Sequence, residues 1–150
     1  MAGIGQNAVS FVVAADEVLL VTTPEPSSIV DAYAMVKTIS TRRDDAEVRL
    51  VVNMVLNQKQ ATAVSQKLTN VTQQYLGRRI TYLGFIPRDP HVSQAVMQSH
   101  PFTMRYPNAP AAKCIEEIAQ RVITQRPAAK TTVNGFFKRF AQTLGLASSA

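Results

Sequence analysis

Three residues of this chain have side chains suited to holding a flat, hydrogen-bonding ligand, and each lies at the end of a β-rich stretch. Asn53 ends the second stretch, and Pro87 and Asp89 follow the third. An asparagine amide donates and accepts at once, which matches the paired acceptor and donor on an adenine edge, and proline offers an apolar wall to a flat base. A strand-ending asparagine is also a common turn residue, and aspartate is a common helix cap. The residue types alone leave both interpretations open.

The other residues that could do chemistry form no recognisable site. His91 and His100 are far from any cysteine or carboxylate pattern with metal-ligand spacing, so no metal centre is predicted. Cys114 falls on the apolar side of a helical pattern and is predicted to be a small core residue. Nothing resembles a Ser-His-Asp or Cys-His arrangement, so no catalytic residue is predicted.

Three continuous apolar runs predict the strands that position the candidate ligand-binding residues. The runs are Glu17–Thr22, Val48–Val55 and Ile80–Ile86. Unbroken apolar runs are typical of parallel strands that are covered on both faces of a sheet. Ligands of open α/β sheets bind beyond the carboxyl ends of the strands, so the three candidates are expected to share one edge.

Helical periodicity lies between and after these strands. The predicted helices are Ser28–Ser40 behind a Ser27-Ser28 cap, Ala61–Leu76 ending at Gly77, a short helix opened by Asp89-Pro90, and Ala109–Thr124. Strands that alternate with helices at this spacing predict crossover connections, and therefore an α/β layered fold with a parallel sheet.

Composition limits the classes of protein to which the chain can belong. It is 46% hydrophobic and 17% charged over 150 residues, which suits one folded domain and argues against disorder. A single cysteine allows no internal disulfide, which suits a cytosolic protein. No apolar run reaches the length of a membrane span, and no basic-then-apolar signal segment opens the chain.

The net charge of +6 is concentrated in the last part of the chain. Residues 118–150 carry five cations and no acid, so the rest of the chain sums to only +1. A basic surface over the whole molecule would favour nucleic acid. A basic tail without a nucleic-acid-reading motif makes that the weakest interpretation, and no nucleic-acid partner is predicted.

The segment 133–146 predicts an amphipathic helix after a polar linker at 125–132. At about 100° per residue, its three phenylalanines fall within one arc, and Lys138, Arg139 and Gln142 fall on the opposite side. Phenylalanines flanked by cations are typical of a helix that lies in a membrane interface. The residues predicted to bind anionic lipid are Phe136, Phe137, Phe140, Leu144, Lys138 and Arg139. The alternative is that the apolar face packs back on the domain.

Five motifs, in order along the chain, resemble the MinD/ParA family of ATPases. Ala2-Gly3-Ile4 is similar to the end of the D-x-x-A-G-I segment that closes the family's second switch region. The run 14–39 is similar to the strand, T-x-P-E-x-x-S-x-x-D loop and helix of MinD. LVVNMV at 50–55 resembles the strand with the adenine-side asparagine, and LGFIPRD at 83–89 resembles the G-x-I-P-x-D loop. The stretch 86–119 most resembles the flagellar site-determining branch, called FlhG or YlxH.

The resemblance implies a partial P-loop NTPase fold, MinD-like with Rossmann-like layers, that ends in a membrane-targeting helix. By carry-over, Asn53, Pro87 and Asp89 lie around the adenine of ATP, which the family binds with Mg²⁺, and Ala2 and Gly3 are a remnant of the second switch. It also implies an ATP-driven monomer–dimer switch that sets flagellar number or position. The implied partners are anionic lipid at the inner face of the cell membrane, a second copy, the flagellar SRP-type GTPase and basal-body components.

The chain departs from the family where the phosphates are bound. It has no K-G-G-x-G-K-T or other G-x-x-x-x-G-K-[ST] segment, whose backbone N–H groups and lysine hold the phosphates. We therefore expect 1–124 to be the C-terminal part of a nucleotide-binding domain, and expect this chain alone neither to hold nor to hydrolyse ATP. A nucleotide-independent membrane- or partner-binding module is the alternative.

Overall fold

A computed structural model describes residues 6–15, 17–42, 46–125 and 133–143 of the chain. Its elements are α1 (Gln6–Ala14), β1 (Glu17–Thr22), α2 (Pro26–Arg42), β2 (Glu47–Val55), α3 (Gln58–Leu76), β3 (Thr81–Pro87), α4 (Pro90–Met97), α5 (Phe102–Arg105), α6 (Pro110–Thr124) and α7 (Val133–Thr143). Within these residues the strands form a parallel sheet in the order β1-β2-β3. The predicted α/β class with a parallel sheet is confirmed.

The middle strand β2 forms the centre of the molecule because both of its faces are covered. Residues 48–52 are buried without interruption, as the continuous apolar run predicts. Successive side chains of a strand point to opposite faces, so Leu50 joins the core with Leu68 of α3, and Val51 joins a second cluster with Ile118 of α6. Each such side chain contributes roughly 1.5–3 kcal/mol when fully buried.

Helix α6 approaches β3 closely at Gly84, where a side chain would be crowded. A Cβ atom on Gly84 would lie 3.0 Å from Arg121 Nη1 and 3.1 Å from Ile118 Cγ1. The Arg121 guanidinium also donates a hydrogen bond to the Leu83 carbonyl oxygen. A polar contact therefore joins the apolar contact in holding α6 to the strand.

Helix α2 begins earlier than the apolar periodicity predicts. It starts at Pro26, so Ser27-Ser28 lies inside the helix and the predicted cap is wrong. Ser28 Oγ instead accepts from the Thr23 backbone N–H at 3.0 Å and shares a 3.0 Å hydrogen bond with Thr22 Oγ1. The serine therefore ties the first turn of α2 to the carboxyl end of β1.

Helix α3 also begins before its predicted start and ends where predicted. It starts at Gln58, and Asn57 Oδ1 caps it by accepting from the Gln60 backbone N–H at 2.9 Å. Its end at Gly77 is confirmed: this residue has a φ of 62°, and its N–H donates to the Gln73 carbonyl oxygen. A left-handed residue of this kind satisfies carbonyl groups that the last helical turn leaves without partners.

A buried arginine ties the amino ends of β1 and β2 to the end of α6. Arg49 is only 1% exposed, and its Nε lies 3.0 Å from Glu17 Oε1 and 2.9 Å from Glu47 Oε1. Its Nη atoms donate to the carbonyl oxygens of Val122 and Gln125. The Arg49 guanidinium thus pairs with two carboxylates through Nε and hydrogen-bonds to the last turn of α6 through its Nη atoms.

The C-terminal helix is present as α7, which spans Val133–Thr143. Leu144, most of the predicted linker 125–132, and the predicted switch remnant Ala2-Gly3 lie outside the described residues. Among the helices that the structure describes, none is long and apolar enough to cross a bilayer.

Candidate functional site

The carboxyl ends of β2 and β3 meet at one edge of the sheet, where the sequence places Asn53 and Pro87. Val55 of β2 pairs with Pro87, and the Arg88 backbone N–H donates to the Val55 carbonyl oxygen at 2.8 Å. Asn53 and Pro87 are both half-buried, so each presents part of its surface at this edge. The expected sharing of one edge follows from the parallel pairing of these strands.

The backbone of β2 is irregular beside this edge. Val52 pairs with Phe85 and Val55 pairs with Pro87, so β2 carries one more residue than β3 between these two pairs. The extra residue is accommodated at Met54, whose φ is 58°. A non-glycine residue in this left-handed region costs about 1–2 kcal/mol, and such residues concentrate at ligand-binding sites.

The side chain of Asn53 supports the irregular backbone. Its Oδ1 accepts from the Met54 backbone N–H at 2.8 Å. Because an NH₂ group could not accept this hydrogen bond, the contact fixes which end of the amide is oxygen. A ligand beside Asn53 would therefore meet an oriented NH₂ donor, which suits an acceptor atom on a heterocyclic base. Contact of Asn53 and Pro87 with adenine stays a prediction.

Asp89 is a buried helix cap that joins α4 to α6. Its Oδ1 accepts from the His91 backbone N–H at 3.0 Å and contacts His91 Nδ1 at 2.8 Å, and its Oδ2 accepts from the Ala111 backbone N–H at 3.1 Å. Burial alone would raise the pKa of Asp89, but the hydrogen bonds from Ala111 and His91 outweigh burial and hold the pKa below its usual value. The carboxylate is thus ionised and already hydrogen-bonded to protein groups. The cap interpretation is confirmed, and a contact with adenine stays a prediction.

The sequence interpretation did not identify His91 as part of this edge. Its ring pairs with Asp89, and the centroid of the ring lies 4.8 Å from that of Tyr106. The signal available in the sequence was the spacing Asp-Pro-His, which places the histidine within the first turn of the helix that the aspartate caps. Together these contacts hold α4 and the short connection, residues 88–89, that follows Pro87.

A second candidate site is the contact between α7 and α1. The ring of Phe140 stacks on that of Phe11 with centroids 4.4 Å apart, and Phe136 lies 6.1 Å from Phe140. Arg139 donates from Nε and Nη2 to the Ala14 carbonyl oxygen at 3.2 and 3.1 Å. The apolar face of α7 therefore packs on the domain in this structure, which is the alternative that the sequence left open.

Two further residues of α7 that were predicted to bind lipid are exposed, and the predicted position of a third is wrong. Phe137 is 60% exposed and Lys138 is also exposed. Arg139 was predicted to lie opposite the phenylalanines, and this is wrong, because its long side chain turns toward α1 and reaches Ala14. Binding of lipid by any of these side chains stays a prediction.

Known proteins resemble the chain over most of its length. A family model described as "4Fe-4S iron sulfur cluster binding proteins, NifH/frxC family" matches residues 7–135. The antiactivator FleN of Pseudomonas aeruginosa is 38% identical over 121 residues, which are 81% of this chain and 43% of that protein. The flagellum site-determining protein YlxH of Helicobacter pylori is 32% identical over 150 residues, 96% of this chain and 50% of that protein. The septum site-determining protein MinD of Bacillus subtilis is 29% identical over 122 residues, 81% and 44% of the two chains. The chain thus spans about half the length of the curated relatives it matches.

The iron–sulfur cluster in the family description does not fit this chain. A [4Fe–4S] cluster is held by several cysteine thiolates, and the sequence contains only Cys114. Burial, with a further contribution from Glu117, raises the pKa of Cys114 and so favours the neutral thiol. Over the described ranges, no group of three or more histidine, cysteine, aspartate or glutamate side chains could hold a metal ion.

The family implies a nucleotide bound with magnesium, and the residues of this chain suit only part of that group. The oriented Asn53 amide, the half-buried Pro87 and the strained Met54 suit the base side of such a ligand. The 150 residues include no glycine-rich phosphate loop. With a parallel sheet, a family model that matches residues 7–135 and relatives that match most of it, the chain belongs to the NifH/MinD type of P-loop ATPase, within the MinD/ParA group that contains the flagellar site-determining proteins.

Proposed function

We propose that this chain is the C-terminal part of an ATP-dependent MinD/ParA-like switch that regulates flagellar number or placement at the membrane. The relatives that support the flagellar role carry the names antiactivator and flagellum site-determining protein. The observation that carries the proposal is the amphipathic helix α7, which is held on α1 by an aromatic stack and an arginine while Phe137 and Lys138 face outward. By the same relationship, a second copy, the flagellar SRP-type GTPase and basal-body components are its candidate partners, at the inner face of the cell membrane.

The nucleotide side of the proposal concerns only the base. Asn53 and Pro87 contact the adenine, and Asp89 positions the loop by capping α4. ATP hydrolysis is not expected from these 150 residues alone, because no P-loop lysine or backbone cradle is present to stabilise transferred charge. In the longer relatives, the part that this chain does not match would have to supply both.

The membrane side of the proposal requires α7 to leave α1. Phe140 stacks on Phe11 of α1, and the half-buried Phe136 stacks on Phe140, so the docked helix does not offer its whole apolar face to lipid. Each phenylalanine that enters the interface gains up to roughly 1.5–3 kcal/mol, and each nearby cation adds about 1 kcal/mol on an anionic surface. One released helix therefore binds weakly, and two helices joined in a dimer bind much more tightly.

The test is sedimentation of the 150-residue chain with vesicles that contain phosphatidylglycerol. Phe137→Glu should abolish binding, because it places a charge on the exposed part of the apolar arc without disturbing the stack on Phe11. Ile123→Glu is the matched control, since Ile123 is an apolar residue on α6 that is 72% exposed, somewhat more than Phe137, and the binding of this variant should be unchanged. Undiminished binding of the Phe137 variant would contradict the membrane role of α7.

The alternative function is a nucleotide-independent membrane- or partner-binding module. It is favoured by the absence of a phosphate loop from the 150 residues. Equilibrium dialysis with labelled ATP separates the two functions. Weak ATP binding that Asn53→Ala removes supports a retained adenine site, although the 150 residues are not expected to hold ATP tightly without a phosphate loop. Vesicle binding with no ATP binding at all supports the alternative.

A further inference from the structure

The short helices α4 and α5, which contact each other, expose three large apolar side chains. Val96, Met97 and Met104 are 68%, 79% and 80% exposed, and the two helices that carry them contact each other. We call these three residues the α4–α5 surface. Several large apolar side chains exposed on one small unit mark a binding surface more often than a single one does, and methionine adapts its shape to a partner.

The backbone beneath the α4–α5 surface is firmly held. Asp89 caps α4 and also accepts from the Ala111 N–H of α6. At the other end of α4, Ala95 is fully buried, and its carbonyl oxygen accepts from the His100 N–H at 3.0 Å. The exposure of the apolar side chains therefore belongs to an ordered unit with its own caps and buried contacts.

The exposed charged residues of the segment 88–105, which carries α4 and α5, have one sign. Arg88 precedes α4 and Arg105 ends α5, and both are exposed. Arg105 is positioned by Tyr106, with its guanidinium carbon 6.0 Å from the ring centroid. The only acidic residue of this segment is Asp89, which is buried and hydrogen-bonded. The segment thus exposes apolar and basic side chains and no acidic one.

We infer that the α4–α5 surface binds an acidic amphipathic helix of a partner protein. The apolar face of such a helix would cover the two methionines and Val96, while its acidic residues would meet the exposed Arg88 and Arg105. A second copy of this chain fits less well, because it would bring these arginines together. A lipid surface also fits less well, since the exposed side chains include no phenylalanine or tryptophan of the kind that α7 offers.

The α4–α5 surface lies on the opposite side of the sheet from the edge strand β1. The α4–α5 unit follows β3, whereas the half-exposed Leu19 and Val21 lie on β1 at the opposite side of the sheet. A chain segment that extended the sheet beyond β1 would therefore not cover the α4–α5 surface. The inference depends neither on ATP binding nor on α7.

The test uses a fluorescein-labelled designed peptide of about four helical turns, with leucine along one face and glutamate elsewhere. Fluorescence anisotropy with the 150-residue chain should show saturable binding that weakens as salt is added. Met97→Asp and Met104→Asp should each weaken binding by about tenfold or more, because each removes apolar contact and adds repulsion. Ile123→Asp, at an exposed apolar residue of α6 outside the surface, should leave binding unchanged.

Three results would overturn the inference. The first is equal binding of the acidic peptide to the wild-type chain and both methionine variants. The second is loss of phosphatidylglycerol-vesicle binding in the methionine variants, which would assign the surface to lipid. The third is a wild-type dimer in sedimentation velocity that Met97→Asp converts to monomer, which would assign the surface to a second copy. Circular dichroism verifies folding, and the high exposure of both methionines leaves the core intact in these variants.

Discussion

Replacing Phe11 with alanine should increase the affinity of the chain for anionic membranes. Phe11 belongs to α1, so Phe11→Ala weakens the docking of α7 without changing any residue of α7 itself. The membrane-binding face of the helix is unaltered, and only the fraction of molecules in which it is available changes. This separates the docking contact from the lipid contact, which substitutions within α7 would alter together.

The size of the effect follows from the contact that is lost. Phe11 is 53% exposed, so about half of its side chain is covered and contributes about 1–1.5 kcal/mol. The stack on Phe140, with centroids 4.4 Å apart, adds about 0.5–1.5 kcal/mol. Apparent affinity scales with the fraction of molecules in the binding-competent state. A loss of about 2 kcal/mol therefore tightens vesicle binding by up to about 30-fold, for as long as the docked state dominates.

The assay is titration of the chain with phosphatidylglycerol vesicles, measured by sedimentation. Val30→Ala is the control, because Val30 is an exposed apolar residue that lies on α2 and not on α1 or α7. The double variant Phe11→Ala, Phe137→Glu should not bind, which shows that the gained affinity passes through α7. If Phe11→Ala binds vesicles no more tightly than the wild-type chain, docking on α1 does not compete with the membrane and the reasoning is refuted.

Three further predictions concern the stability of the fold and are checked by denaturant unfolding. Gly84→Ala should cost about 1–3 kcal/mol, because the new Cβ would lie 3.0 Å from a side-chain atom of α6. Arg49→Met should cost about 3 kcal/mol and Glu17→Gln less than about 1 kcal/mol, since Glu47 keeps its pair with Arg49 when Glu17 is neutral. Asp89→Asn should cost about 2 kcal/mol at neutral pH through the loss of charge-assisted hydrogen bonds. The folded-state pKa of Asp89 is depressed, so its stabilisation is present above the unfolded pKa of about 3.9 and is lost as the pH falls through the folded value. The difference between the wild type and the asparagine variant should therefore shrink in acid, and a constant difference contradicts this assignment.

The sequence predicts the strands better than the starts of the helices. Residues Glu17–Thr22 form β1 with the predicted bounds, because a continuous apolar run ends sharply at both ends. The first turns of α2 and α3 are mostly polar, so apolar periodicity does not detect them. The ends of these helices are fixed by short-range contacts. Among them, only Gly77 at the end of α3 is a residue type that identifies the helix end in the sequence.

The candidate site shows the same division between local and long-range information. The meeting of Asn53 and Pro87 at one edge follows from the parallel order of strands, which the sequence pattern indicates. The left-handed Met54 does not, because it arises from a mismatch of register between two strands that are distant in sequence. The docking of Arg139 on Ala14 joins residues that are 125 positions apart, and helical periodicity cannot indicate which surface an apolar face will cover.

The two proposed functional regions lie toward opposite ends of the strands, and this predicts how they influence each other in the 150-residue chain. Ala14 precedes the amino end of β1, which pairs with the amino end of β2, whereas Asn53 lies near the carboxyl end of β2. At about 3.3 Å per residue, the span from Glu47 to Asn53 is roughly 20 Å, too far for the base side to contact α7 directly. Asn53→Ala should therefore leave vesicle binding within about twofold of the wild type, even if it abolishes binding of ATP. A larger change would demonstrate coupling through the sheet. Unchanged vesicle binding is expected if nucleotide acts on membrane affinity in a different way, by bringing two copies of α7 together in a dimer.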